Sequence, residues 1–151
     1  KKAFSIDPYN PQYPIKNKEL ILGIQAQLWS ARLDYFTFPK GLGNFDRCWN
    51  ATPQCSYDTF YSIIVNNELP YIQSRGIKYY IPQPGLKIVD GKLLANAPYN
   101  GGEIRYNFGE ETPTTKSTLW SEPIEIPKEV KVISARYFKD GRESATTTLR
   151  R

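Results

Sequence analysis

Glu110 and Glu111 are the one adjacent pair of carboxylates in the sequence, and paired carboxylates are the usual equipment for general acid–base work. Their setting argues against that use. Gly109 precedes them and Thr112-Pro113-Thr114 follows, so the pair sits in a Gly-, Pro- and Thr-rich turn, where charged side chains are ordinarily solvated. The sequence contains no His, which removes the commonest general base and metal ligand. Its two Cys, Cys48 and Cys55, are too few for a tetrahedral zinc site. They either close a short loop as a disulfide or stand apart, as a half-buried thiol on a helix and an unrelated one in a loop; the second reading is preferred. No cofactor and no metal are expected.

Charge narrows the partners further. The 20 basic and 15 acidic residues leave a formal charge of +5. The basic residues are scattered, and Lys1-Lys2 and Arg150-Arg151 sit at the ends, so no basic stripe with interleaved aromatics offers itself to nucleic acid. No apolar run is long enough to span a membrane, and no signal peptide is recognisable. The sequence starts at Lys1 without an initiator Met, which leads us to expect a piece of a longer protein.

The elements that must position these residues fall into two halves. Asp7-Pro8, Asn10-Pro11 and Tyr13-Pro14 push the first residues into extended loop. Leu20 to Trp29 reads as a strand buried on both faces, as in a parallel sheet or barrel; Gly23 inside it suggests a close backbone approach. Pro39 suits the first turn of a helix carrying Leu42, Phe45 and Trp49 near helical spacing, although Gly41 and Gly43 weaken it. A second helix is expected from Tyr57 or Asp58, with Phe60, Ile63, Ile64 and Asn67 on one face. Pro70 ends it and opens a short third helix, with Tyr71 and Ile72 turned inward and Gly76 as its cap.

After Gly76 the period changes from 3.6 to alternation. Ile77 to Ile81 alternates. Lys87–Val89 and Lys92–Leu94 flank Asp90-Gly91, a two-residue hairpin signal. Glu103–Tyr106, Pro123–Pro127 and Val130–Phe138 follow, and Asp140-Gly141 turns the chain into a closing strand from Ser144 to Leu149. Seven or so short strands in about 75 residues read as a small antiparallel β-sandwich of the immunoglobulin-like kind. The fold class is therefore α+β, with residues 1–76 holding a short strand and two or three helices and residues 77–151 forming the sandwich.

Both halves resemble the C-terminal end of the glycoside hydrolase family 20 β-N-acetylhexosaminidases. Ile21-Leu22-Gly23-Ile24-Gln25-Ala26-Gln27-Leu28-Trp29, Phe38-Pro39-Lys40 and Phe45-Asp46-Arg47-Cys48-Trp49 look like the last strand and last helix of that family's (β/α)8 barrel. Gly76-Ile77-Lys78-Tyr79-Tyr80-Ile81-Pro82, Glu103-Ile104-Arg105-Tyr106, Thr112-Pro113 and Asp140-Gly141-Arg142-Glu143-Ser144 are similar to the small domain behind the barrel. The resemblance implies an enzyme that removes terminal N-acetylhexosamine from glycans with retention, the substrate's own acetamido oxygen attacking the anomeric carbon, outside the usual two-carboxylate scheme. It also implies a periplasmic, secreted or cell-surface setting. The family's Asp-Glu pair lies on an earlier strand and has no counterpart here, so no catalytic residue is assigned and the chain alone is expected to be inactive. Trp29 matches the family Trp that walls the sugar pocket. Where the family carries a Glu two residues later, this sequence has Ala31, followed by Arg32, and the stretch to Phe38 is shorter. Asp46 stands where the family has Glu, and Asp46 and Arg47 are expected to be structural.

The expected partners are the rest of the barrel and the parent's N-acetylhexosamine glycan. One strand and its helix cannot close an eight-stranded barrel. Residues 20–29 are thus expected to be rearranged, to pack on residues 57–75, or to pair with another chain, with a homodimer through residues 1–50. The alternative function is a free-standing carbohydrate-binding or protein-interaction module. It would need aromatics in one plane on a sandwich face, drawn from Tyr79, Tyr80, Tyr99, Tyr106, Trp120 and Tyr137, about half of which alternation would bury.

Overall fold

A computed structural model describes residues 4–9, 12, 15–29 and 31–151. Asn10-Pro11, Tyr13-Pro14 and the Lys1-Lys2 pair lie outside them. The chain divides into two compact units, Lys1–Tyr80 and Ile81–Arg151.

In the first unit a single turn of tight helix, Lys18–Leu20, leads into residues 21–29, which form no strand. The expected buried strand is corrected here. A strand needs a neighbour for its N–H and C=O groups, and no described segment offers one; Leu22 is 99% exposed and Trp29 90%. Helices α1 (Leu33–Thr37) and α2 (Lys40–Trp49) follow. In α2 the expected apolar face is turned outward. Phe45 and Trp49 are exposed, while Gly43 and Arg47, four apart on the same side, are buried.

Helices α3 (Tyr57–Ile63) and α4 (Leu69–Ser74) are one continuous helical stretch joined by a π turn, Ile64–Glu68. Ser56 caps α3, its hydroxyl accepting from the Thr59 amide at 3.1 Å. Pro70 stands in the first turn of the short helix α4, as expected, but the chain reaches it through the π turn rather than through a break. A proline within a helix cannot donate to the carbonyl four residues back and clashes with it. The wider turn, in which Leu69 N–H donates to Ile64 C=O five residues back, opens the ladder just before the proline. The extra residue also keeps Leu69 and Ile72 in phase with Ile64, so that Phe60, Ile64, Val65, Leu69 and Ile72 make the inner face, whereas Asn67 and Tyr71 are exposed. Phe4 is buried against α3, stacked on Phe60 at 4.4 Å and edge-on to Tyr57 at 5.9 Å.

Gly76 caps α4 as expected. Its φ is +75°, its amide donates to Gln73 C=O at 2.9 Å, and the Ile77 amide donates to Ile72 C=O at 3.2 Å. Those two bonds are the double closure that left-handed helix ends provide. No atom lies within 4 Å of a Cβ added there. Gly76→Ala should therefore cost only the left-handed backbone term, about 1 kcal/mol, read as a small loss in a urea melt.

The second unit carries eight strands. A three-stranded sheet runs β1 (Gly85–Val89), β2 (Lys92–Asn96), β5 (Ile124–Glu125). The other sheet runs β4 (Thr118–Trp120), β3 (Glu103–Phe108), β6 (Val132–Lys139), with β7 (Arg142–Glu143) and β8 (Thr147–Arg150) both paired to β6. All pairings are antiparallel. Both expected hairpins form, with Asp90-Gly91 and Asp140-Gly141 at positive φ as the tight mirror-image turn demands. Leu93, Ile104, Ile126, Ile133, Ala135 and Tyr137 bury the facing sides of the two sheets, giving the small antiparallel sandwich.

Three strand expectations change. Residues 77–84 form no ladder, although Tyr79 and Ile81 are buried; Pro82 and Pro84 lack the donors a ladder needs. The closing strand is split, because Tyr137 pairs back to Ser144 while Ala135 pairs with Thr147, leaving Arg136 opposite both Ala145 and Thr146. That is a β-bulge. Ser144 holds it, its amide donating to Tyr137 C=O at 2.9 Å and its hydroxyl accepting from Tyr137 N–H at 3.1 Å. Strand β4 is the third change, absent from the sequence reading.

Candidate functional site

Residues 26–29 come off the extended segment and face α1 and the start of α2 across a cleft of about 580 Å³. Trp29, Phe36 and Phe45 supply its aromatic walls, and Gln27, Lys40 and Asn44 its polar atoms. Gly41 keeps α2 open on this side; a Cβ there would lie 3.2 Å from Thr37 Cγ2 and 3.4 Å from the Phe45 ring. Beside the cleft, the Arg32 guanidinium stacks over Tyr35 at 4.1 Å and Lys40 Nζ sits 4.7 Å from the Tyr80 ring centre, with Tyr35 and Tyr80 edge to face at 5.1 Å. These contacts place two cations, Arg32 and Lys40, beside the cleft. Ala31 is exposed there and offers no hydrogen-bonding side chain.

Arg47 of α2 is 4% exposed. Its Nε donates to Ile6 C=O at 3.0 Å and its Nη2 to Ala51 C=O. It therefore ties α2 to the segment before residue 10 and to the loop after the helix, the structural role expected of it. Asp46 accepts from Asn50 Nδ2 at 3.3 Å. Arg47 Nη1 and Asp46 Oδ2 are buried with no hydrogen-bond partner among the described residues. Cys48 and Cys55 are both free thiols; Cys48 is exposed rather than half-buried, and its Sγ lies 3.7 Å from Ile24 O.

The arrangement can stack and hydrogen-bond, and the described residues lining the cleft include no Asp, Glu, His or Cys. Glu110 and Glu111 are exposed in their turn, with Glu110 paired to Arg150 at 2.9 Å. Among the described residues no group of three His, Cys, Asp or Glu could hold a metal ion, and no helix is long and apolar enough to cross a membrane. Burial lifts the Tyr106 phenol above its ordinary value, and burial with the neighbouring Tyr57 does the same to Tyr61; neither lines the cleft. The aromatic plane required of a free-standing binding module is not found in the sandwich, where Tyr99, Tyr106 and Tyr137 are buried core residues and Trp120 is half-buried, its Nε1 directed at Leu93 O. Tyr79 is likewise buried.

Similarity to known proteins covers both units. Residues 68–145 match the family described as Chitobiase/beta-hexosaminidase C-terminal domain. The chain is 27% identical over a 118-residue alignment to N,N'-diacetylchitobiase of Vibrio harveyi, which covers 59% of this chain and 13% of that protein. It is 25% identical over 139 residues to a Beta-hexosaminidase of Porphyromonas gingivalis, covering 83% of this chain and 18% of that protein. The chain thus spans less than a fifth of the length of either relative.

Proposed function

We propose, for a chain that belongs to the chitobiase/β-hexosaminidase C-terminal domain family, that it forms the C-terminal end of a β-N-acetylhexosaminidase and is structural and inactive by itself. In this reading residues 1–76 complete a catalytic barrel and residues 77–151 are the domain behind it. The parent enzyme removes terminal N-acetylhexosamine from glycans by substrate-assisted, retaining hydrolysis, its Asp-Glu pair coming from earlier barrel strands. A periplasmic, secreted or cell-surface setting goes with that substrate.

One observation carries the reading beyond family membership. Residues 20–49 of the first unit keep large apolar side chains outside: Leu20, Leu22, Leu28, Trp29, Phe45 and Trp49 are exposed, on a segment with no described strand beside it and on the helix after it. Such a surface is costly in water and suits a piece completed by other strands. The barrel is the partner that fits a strand-like segment followed by a helix. When the chain is separated from it, a homodimer through residues 1–50 covers the same faces.

Trp29 then supplies one wall of the sugar pocket, its indole packing on the pyranose C–H face. The assay is release of an aryl leaving group from an aryl N-acetylglucosaminide. The 151-residue chain should give no turnover. The polypeptide that carries it behind an Asp-Glu barrel should turn over, and Trp29→Ala in that polypeptide should lower kcat/KM by about 10- to 100-fold, the worth of one stacked ring and its excluded water. Turnover by the chain alone, or full activity of Trp29→Ala, would overturn the proposal.

A further inference from the structure

At the end of the five-stranded sheet lies a second cleft, of about 330 Å³, in the second unit. Its floor is the outward-facing row of three strands. Glu103 of β3 and Glu143 of β7 both pair with Phe138 of β6, so a carboxylate stands on each side of one aromatic ring. Gly101 and Gly102 bring bare backbone to the rim, and the Asp140-Gly141 hairpin closes the end.

The two carboxylates are held in place from one side, by arginines two residues along the same face of the sheet. Arg105 Nε and Nη2 both donate to Glu103 Oε2, at 3.1 and 2.6 Å. Arg136 Nη2 lies 3.4 Å from Glu143 Oε1, and its guanidinium lies 5.9 Å from the Phe138 ring centre. Each arginine is itself anchored to a carbonyl, Arg105 Nη1 to Ser117 O at 3.0 Å and Arg136 Nε to Ser144 O at 2.9 Å. The β-bulge sets the second anchor, since it is the register shift that leaves Ser144 C=O in reach of Arg136. Glu103 Oε1 and Glu143 Oε2 take no hydrogen bond from any described residue. The half-exposed carboxylates are thus oriented, with one acceptor each unused, while the arginines beside them are mostly buried.

From this geometry we infer a binding site for one hexopyranose unit of a glycan. A sugar ring needs an aromatic surface for its C–H face and fixed acceptors beside it for its hydroxyls. The charges around the cleft are mixed: Glu103, Glu143 and Asp140 stand beside Arg105, Arg136 and Lys139, the last lying 3.5 Å from Asp140, and Arg142 adds a further positive charge to the lining. The volume is at the small end for ligand sites and suits a single ring. The choice of an N-acetylglucosamine oligomer as first probe rests on the proposed function; the binding geometry does not.

The experiment is an amide-shift NMR titration of the chain with tetra-N-acetylchitotetraose, and in parallel with cellotetraose and maltotetraose. Saturable shifts confined to residues 101–103 and 138–143 are expected with at least one of them, with a Kd on the order of 1 mM. Phe138→Ala should weaken binding at least about tenfold. Should that variant fold poorly, Glu143→Gln, a surface change, should reduce affinity on its own. Absence of saturable shifts with all three sugars, shifts unchanged in the variants, or saturation by a lysine oligomer while the sugars stay silent would each overturn the site. Because no turnover is measured, failure here leaves the hexosaminidase assay standing, and failure of that assay leaves this binding result standing.

Discussion

Gly102→Ala should destabilise the sandwich by about 3–4 kcal/mol, as much as emptying part of its core, although it adds a single methyl group. The reason is the neighbour. A Cβ at position 102 would fall within contact distance of both the Tyr137 phenol and the Phe138 carbonyl oxygen. Tyr137 is 0% exposed, and its hydroxyl donates to Tyr99 C=O at 2.8 Å. The methyl can be admitted only if the ring moves, and moving it strands a buried hydroxyl and a carbonyl at a further 1–3 kcal/mol or so. The midpoint in a thermal melt should fall by more than about 10 °C. Tyr137→Phe, which removes only the hydroxyl, should cost about 1–2 kcal/mol. In the double variant the two costs should fall short of additive, since the phenol is part of the clash. A Gly102→Ala variant melting with the wild type would show that the backbone there is free to yield.

Arg47→Ala should be the corresponding failure in the first unit, costing about 2–4 kcal/mol. This side chain satisfies the carbonyls of Ile6 and Ala51 from one planar group. Truncation leaves both without their donor and opens a void under α2. Hydrogen exchange should quicken at residues 4–9 and 50–56 together, a pairing that random destabilisation would not produce. Arg47→Lys should recover only part of the loss, because an ammonium cannot span two carbonyls as a guanidinium fork does. Unchanged exchange in both segments would mean that Phe4, stacked on Phe60, holds the chain start unaided.

These two residues also show what the sequence discloses and what it hides. Local chemistry was legible. Asp90-Gly91, Asp140-Gly141 and Gly76 each demand a left-handed backbone, and each turn or cap formed where its residues stand. The hairpin signal located β1 and β2, and the runs Glu103–Tyr106 and Val130–Phe138 located β3 and β6. Features that depend on a distant neighbour were not legible. Gly102 reads as one more loop glycine until Tyr137 is placed beside it. Residues 21–29 have the composition of a buried strand, but no described strand pairs with them. The three residues of β4 are too few to show a period, and the bulge opposite Arg136 is a matter of register, which alternation within a single strand cannot report. Of the candidate cleft, Trp29 could be read from its motif, while Phe36, Lys40 and Asn44 become neighbours only once α1 and α2 are turned toward it.

The π turn in the long helix has a consequence for how this protein can change. Ile64 and Leu69 are five residues apart yet share the inner face; in a regular helix four would serve. Removing one residue between them would keep the packing but bring Pro70 into an unbroken ladder, at a cost of about 3 kcal/mol. Removing the residue and the proline together should be far milder than the deletion alone. The insertion and the proline are therefore bound by epistasis: a lineage carrying both can discard the proline first, but it cannot cheaply discard the extra residue while the proline remains.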